Sequence, residues 1–582
     1  MRKSIFVIIL SSVLASCAKT GFLDDKTNGL TEDVVFSDSI QSINFLNRIY
    51  ADAGYSFGPS RYTGSGGSGN SELCTDNAEG SNNTAVPADS YVQGALSSIS
   101  VNNGFATDKD YWNTPYKNIR RTNLLLSKLP ETPFADVTKK RMKGELRFLR
   151  AWYYHYLLIA FGGIPVLEDK VFEANDVPRV PRTSYADCIS YLVSELDGAA
   201  SDLRDVVYKD ADYGRVTWGA CLALKSRVLM YAASPLFNGG GVAGDTELKA
   251  VLAYPSFDKN RWQIAADAAE AVINTGLYSL YVDNTTRPGY GFYQVFLKRV
   301  NPEYIFSFNR PAQKEFETFF LPPSRSGNCT MRPTLSLAES FPMIDGKSIR
   351  ESSLFDANDP YANRDPRFGN SIIHNGMMYM SNNGTKTAIQ TYMTANGFTN
   401  TSTDAYTIVN KYTGFFSRKM LDENLTGTSS GTTERAWPLI RYAEILLNYA
   451  EAINEAGYPE KAYPKLIELR NRAGIRAGSD GMYGLKKDMT VEEMRDIIRN
   501  ERRIELAFED QRWNDIRRWK IASTVLTGFN TVHILTKTSA TTYNYTTGYS
   551  MRQLKFRDAM YLLPIPLTEI QKMPVLKQNP GY

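Results

Sequence analysis

The chain is poor in histidine and cysteine and carries almost no excess charge. Three His among 582 residues leave little material for a histidine-based metal centre. Five Cys exclude a disulfide-dense scaffold. With 66 Lys and Arg against 62 Asp and Glu, the formal charge is only +4, too balanced to argue for a nucleic-acid partner. Beyond the first twenty residues no apolar run approaches the ~20 residues of a membrane-spanning helix. There is no Gly-x-Ser-x-Gly elbow, His-Glu-x-x-His pair or phosphate-binding P-loop. What is abundant is apolar (43%) and aromatic (12%) side chain, spread along the whole length, which excludes a mainly disordered chain.

The first twenty residues form an export signal. Arg2 and Lys3 precede an apolar run from Ile5 to Leu14, too short to span a membrane and suited to a signal-peptide core. Leu14-Ala15-Ser16-Cys17 then resembles the bacterial lipobox, in which the cysteine is acylated and becomes the first mature residue. Residues 1–16 are therefore expected to be removed and Cys17 to carry the lipid. Ala18, rather than Asp, resembles the signal that permits passage to an outer membrane.

Helical spacing dominates about 110–275 and 435–520, with a shorter helix at about 35–53. Met142, Leu146, Leu149, Tyr153 and Tyr156 recur every three or four residues. Ser184 with Asp187 and Thr490 with Glu493 form capping-box patterns that open further helices. Trp262, Ala265, Ala269 and Val272 mark a helix ending at Gly276. One helix is expected through Leu439, Ile445, Leu446, Tyr449 and Ile453, and another from Met494 through Ile504 to Phe508. Ala443, Ala450 and Ala462 allow close helix approach, and the paired helices resemble tetratricopeptide hairpins. Residues 54–104 and 276–435, rich in Gly, Asn, Ser, Thr and Tyr, read as loops with a few strands such as Tyr304–Asn309. The final segment, 521–582, reads as irregular. The expected architecture is thus predominantly α, one body over 17–582, with a helical scaffold and a loop-rich binding region.

Several motifs then point one way. Gly144-Glu145-Leu146-Arg147-Phe148-Leu149-Arg150-Ala151, followed by Phe161-Gly162-Gly163-Ile164-Pro165, resembles the SusD/RagB family of outer-membrane lipoproteins. So do Arg441-Tyr442-Ala443-Glu444-Ile445-Leu446-Leu447, Glu501-Arg502-Arg503-Ile504-Glu505-Leu506, and Gln511-Arg512-Trp513 with Arg517-Arg518-Trp519. Leu563-Pro564-Ile565-Pro566 and Gln578-Asn579-Pro580-Gly581-Tyr582 resemble its C-terminus. The resemblance implies a SusD-like fold, no catalysis, and a surface lipoprotein that binds oligosaccharide as the lid of a SusC-like TonB-dependent barrel. Peptide capture on the same kind of barrel is the alternative that it leaves, and a lipid-anchored glycosidase is a third reading from a different class.

Candidate ligand contacts follow from the chemistry of sugars, which need flat apolar faces and planar polar groups. All seven Trp fall in or beside expected helices and read as packing. The platforms are therefore sought among loop aromatics: Tyr62, Tyr91, Tyr290, Phe292 and Tyr293, with Asn77, Asn82 and Arg325 as polar partners. The Arg and Glu of 499–505 lie at i,i+4, a spacing that suits surface ion pairs or links between neighbouring helices. Cys74 and Cys329 both lie in the proposed binding loops, so a bridge between them is possible in an exported protein. The three His, at 155, 374 and 533, match no metal spacing. No cofactor is implied, and a structural calcium ion held by loop carboxylates has no motif behind it.

Overall fold

In the computed structural model the described residues are 32–54, 71–80, 87–100, 111–173, 176, 179–242, 247–312, 314–394, 404–406, 412–429 and 434–582. Cys17, Tyr62 and Asn82 lie outside them. Helical periodicity becomes a stack of helices. After α1 (Ser39–Ala51) come α2 (Asn113–Lys128), α3 (Asp136–Phe161), α4 (Tyr185–Leu203), α5 (Trp218–Ala233) and α6 (Asn260–Ile273), α3 to α6 each packed on its predecessor. The short α7 (Leu335–Ser340) stands among the loops. The stack resumes as α8 (Tyr442–Glu455) packs on α6, and α9 (Tyr463–Ala473) and α10 (Val491–Glu505) pack on α8. The short α11 (Arg512–Arg518) follows. Met142, Leu146, Leu149, Tyr153 and Tyr156 are all buried, so the stripe read from the sequence is the core face of α3.

Both N-caps form, and Thr490 with Glu493 completes a capping box. Ser184 Oγ accepts from the Asp187 amide and donates to its carboxylate, and Thr490 Oγ1 accepts from the Glu493 amide while Glu493 accepts from that of Thr490. The Phe161-Gly162-Gly163 motif has an equally local cause. Gly162 ends α3 in a left-handed conformation, φ 77°. A Cβ on Gly163 would stand 2.2 Å from the Thr183 carbonyl and 2.6 Å from that of Val251, so only glycine fits.

Strands are few and paired two by two among the described residues. β1 (Ala78–Gly80) pairs antiparallel with β3 (Met331–Pro333), and β2 (Tyr304–Arg310) with β4 (Arg435–Arg441). β5 (Thr527–Lys537) and β6 (Tyr543–Lys555) make a long hairpin.

Three sequence expectations need correction, and the open question of a cysteine bridge is answered. Leu439 lies on β4 rather than in a helix, because the chain pairs with β2 before turning helical at Tyr442. Phe508 lies past the end of α10, at φ 64°. The segment read as irregular contains the β5–β6 hairpin. Cys74 and Cys329 are buried thiols rather than a bridge, and Cys329 Sγ accepts from Arg332 Nη2 at 3.1 Å. Of the Trp, Trp437 stands on β4 rather than a helix, and Trp218 is half-buried beneath Arg204; the other five and Trp437 are buried.

The charged motifs hold the elements together from inside. Arg441 donates to Glu303, Glu505 and Glu509; Arg472 to Glu303 and Glu505; Arg470 to Glu501; and Lys419 to Glu509 at 2.5 Å. Arg367 joins Asp365, Glu501 and Glu505. Five cations therefore face five carboxylates, all buried. Burial alone raises a carboxyl's pKa, yet Arg472, Arg441 and Arg367 hold that of Glu505 far below the ordinary range. A second cluster links α8 to α10 and α11: Glu451 accepts from Arg518 and from Trp519 Nε1, and Asp515 accepts from Arg502 and Arg518. These are internal struts, not the surface pairs that the i,i+4 spacing equally allows.

The C-terminal motif closes on the first half of the scaffold. Arg182 donates to the Phe161 and Gly163 carbonyls and to Asn579 Oδ1, while Asn579 Nδ2 donates to the Phe161 and Leu563 carbonyls.

Candidate functional site

Where the loops meet the hairpin, an aromatic pocket of about 170 Å³ opens at the surface. Its walls come from Leu335, Ala338 and Glu339 of α7, the 349–368 segment, Phe415, His533 of β5 and Tyr545–Thr547 of β6. Tyr361 is the centre of the cluster. Its ring stacks on His374 at 4.3 Å and on Phe368 at 6.2 Å, and stands edge-on to Tyr545 at 5.9 Å. Its hydroxyl lies 3.3 Å from His533 Nδ1. Tyr361, Phe355 and Tyr545 are partly exposed, so apolar ring surface faces the opening.

The polar side of the pocket is equally defined. Arg364 lies over the Phe368 ring at 4.6 Å and donates to the Pro360, Ala338 and Phe341 carbonyls. Burial lowers its pKa to about 10, so it stays cationic at neutral pH. Burial, with nearby Arg364, pushes the pKa of His533 down to about 4, and burial does the same to His374, so both rings are neutral at pH 7. Glu339, Thr546 and Thr547 are exposed and line the mouth. Glu339 is the only carboxylate among the lining residues.

The scaffold positions this site through its charges. Asp365 and Arg367 lie between Arg364 and Phe368 in sequence, and Arg367 is fastened to Glu501 and Glu505 of α10. On the opposite wall, Arg503 of α10 donates to Ser336 and Ser340 of α7.

Of the residues proposed from sequence, none of the described ones lines this pocket, and Tyr62 and Asn82 lie outside the described residues. Tyr91 is buried; its hydroxyl donates to the Met560 carbonyl and its ring packs edge-on to Trp513. Phe292 is buried between Lys419 and Arg472, as part of the ionic core. Asn77 is buried and accepts from Arg503 Nε, one step behind α7. Arg325 is buried and clamps Thr387 through its carbonyl and hydroxyl. Tyr293 is buried, and its hydroxyl accepts from the Glu423 amide. In this structure these five side chains pack the core and brace loops. Among the described candidates Tyr290 alone is partly exposed, and Arg287, paired with Glu423, lies 4.8 Å from its ring.

The residues that build the pocket were missed for an identifiable reason. Tyr543-Asn544-Tyr545-Thr546-Thr547-Gly548-Tyr549 carries period-2 aromatic spacing, the signal of a strand, inside a segment read as irregular. His374 and His533 are 159 positions apart, and only the fold brings them to one Tyr361. Among the described residues no group of three or more His, Cys, Asp or Glu is placed to hold a metal ion, and no helix is long and apolar enough to cross a membrane.

Comparison with known proteins gives matches along the chain. The model of the SusD family matches residues 296–582. A second, described as starch-binding associating with outer membrane, matches residues 23–230. SusD-like protein P38 of Formosa agariphila is 24% identical over 441 residues, spanning 73% of this chain and 75% of that one. A crystal structure of a SusD-like protein from Bacteroides fragilis aligns with a TM-score of 0.74 at 26% identity, covering 95% of this chain and 99% of that one. A SusD-like carbohydrate binding protein of the same species aligns with a TM-score of 0.71 at 24% identity, covering 93% and 100%.

Proposed function

This chain belongs to the SusD/RagB family, with that family's predominantly α fold, and from that premise we propose that it captures oligosaccharides at the outer membrane and passes them to a SusC-like TonB-dependent barrel. The observation that carries the reading is the aromatic pocket beside the turn half of the hairpin. Tyr361, Phe355 and Tyr545 offer ring faces to the C–H surface of a sugar, and Glu339, Arg364, Thr546 and Thr547 offer groups for its hydroxyls. The starch-binding, outer-membrane description of the family matched at residues 23–230 supports the same ligand class and location.

The role is capture without chemistry. Glycoside hydrolysis uses two carboxyl groups about 5–10 Å apart across the scissile bond, and Glu339 is a single carboxylate on the pocket wall. Cys17 tethers the protein by its lipid, and the stacked helices present the extended surface on which a barrel docks.

Isothermal calorimetry on the full chain carrying Cys17→Ala, against plant, host and microbial oligosaccharides and mixed peptides, tests this. Saturable glycan binding is expected, weakened at least about tenfold by Tyr545→Ala, with no cleavage product; a tenfold loss corresponds to ~1.4 kcal/mol. Binding of peptides alone would replace the ligand class with peptide.

A further inference from the structure

Resting on the reading of the aromatic pocket as the glycan site, we infer that it takes one terminal ring, so that the ligand is recognised by its end rather than along its length. Size is the first argument. A dry cavity of about 150 Å³ holds one benzene ring, whereas sites for larger ligands start near 300 Å³. At about 170 Å³ the space suits one inserted ring.

The second argument is that the pocket has one way in. Its back is closed by rings packed on one another: Tyr361 on His374 at 4.3 Å, Phe368 on His374 at 5.5 Å and Phe415 on His533 at 5.4 Å. Its floor is closed by Arg364, whose guanidinium ties the Pro360, Ala338 and Phe341 carbonyls together. A chain cannot thread through such a wall. The exposed residues, Glu339, Ala357, Thr546 and Thr547, all stand at the mouth, so the next sugar leaves by the side its neighbour entered.

The third argument is what lies outside. Tyr543 is partly exposed and shares the β6 face of Tyr545, with ring centres 6.3 Å apart. Behind it Tyr392 is buried, 5.6 Å away, and Lys537 lies 4.6 Å from the Tyr392 ring. Among the described residues Tyr543 therefore adds a stacking face beside the pocket, backed by Tyr392. The occupant is the end of an oligosaccharide, with the terminal ring inserted and the second ring on Tyr543.

End-modified sugars test this on the full chain with Cys17→Ala. The probes are maltohexaose, laminarihexaose and cellohexaose, each used native, with the reducing end opened by borohydride, and with the non-reducing ring blocked as an ethylidene acetal. For whichever hexaose binds, modification of one end is expected to weaken affinity at least tenfold while modification of the other leaves it unchanged. Tyr543→Ala should weaken the hexaose but not the matching monosaccharide. Equal binding of all three forms, still lost in Tyr545→Ala, would overturn end recognition and leave capture standing. No binding by any glycan in the broader panel would instead overturn the capture reading itself.

Discussion

At position 91 a phenol that suits sugar recognition is turned inward and donates to the Met560 carbonyl, while at position 545 a phenol of the same chemistry lines an opening to solvent. Residue type alone did not separate them; burial did. Tyr91→Phe is therefore expected to lower stability by about 1 kcal/mol, the worth of one buried hydrogen bond, and to leave glycan affinity unchanged. Urea denaturation and calorimetry on the same variant read the two effects separately. The histidines set a pH dependence. His374 and His533 titrate at about 4 in the folded protein against 6.5 unfolded, so between these values the unfolded chain binds more protons. Their contribution is whole above pH 6.5 and is lost as the pH falls towards 4. Tm should drop by a few degrees from pH 7 to pH 5, and by less in His533→Phe. A drop unchanged by that substitution would assign the acid sensitivity elsewhere.

At the scale of elements, helices were legible because their signals are local. Ser184 and Thr490 announce α4 and α10 within four residues, and the caps form as written. Thr490→Ala should lower stability by about 1 kcal/mol, measured by denaturant midpoint, and Thr490→Ser should restore most of it. Strands were less legible because their partners are remote. Leu439 sits in an apolar stretch that periodicity extends into α8, yet Arg435–Arg441 pairs with β2, more than a hundred positions earlier. The hairpin failed for another reason: its turn and alternating tyrosines were present, but its polar composition read as loop. Since that hairpin supplies one wall of the pocket, losing it from the reading also lost the site.

At the scale of the whole molecule, family motifs were legible as a set, and the structure gives them a shared physical role. Arg441, Glu501 and Glu505 belong to one neutral ionic cluster that also grips Arg367, next to the pocket wall. Removing one member leaves a buried charge uncompensated. Arg367→Ala is thus expected to lower stability by about 3–5 kcal/mol and to weaken ligand binding at temperatures where the protein remains folded. A denaturation midpoint near that of the parent would show that the cluster relaxes around the loss. The clasp of Asn579 onto Phe161 has a consequence in time rather than in energy. The bonds from Asn579 to Phe161 and Arg182 cannot form until residue 579 has been made, so α3 to α6 can stack on one another during synthesis while this clasp waits for nearly the whole of it. The motif at 578–582 is in that sense a late clasp, closed only after the helices that it grips have been made.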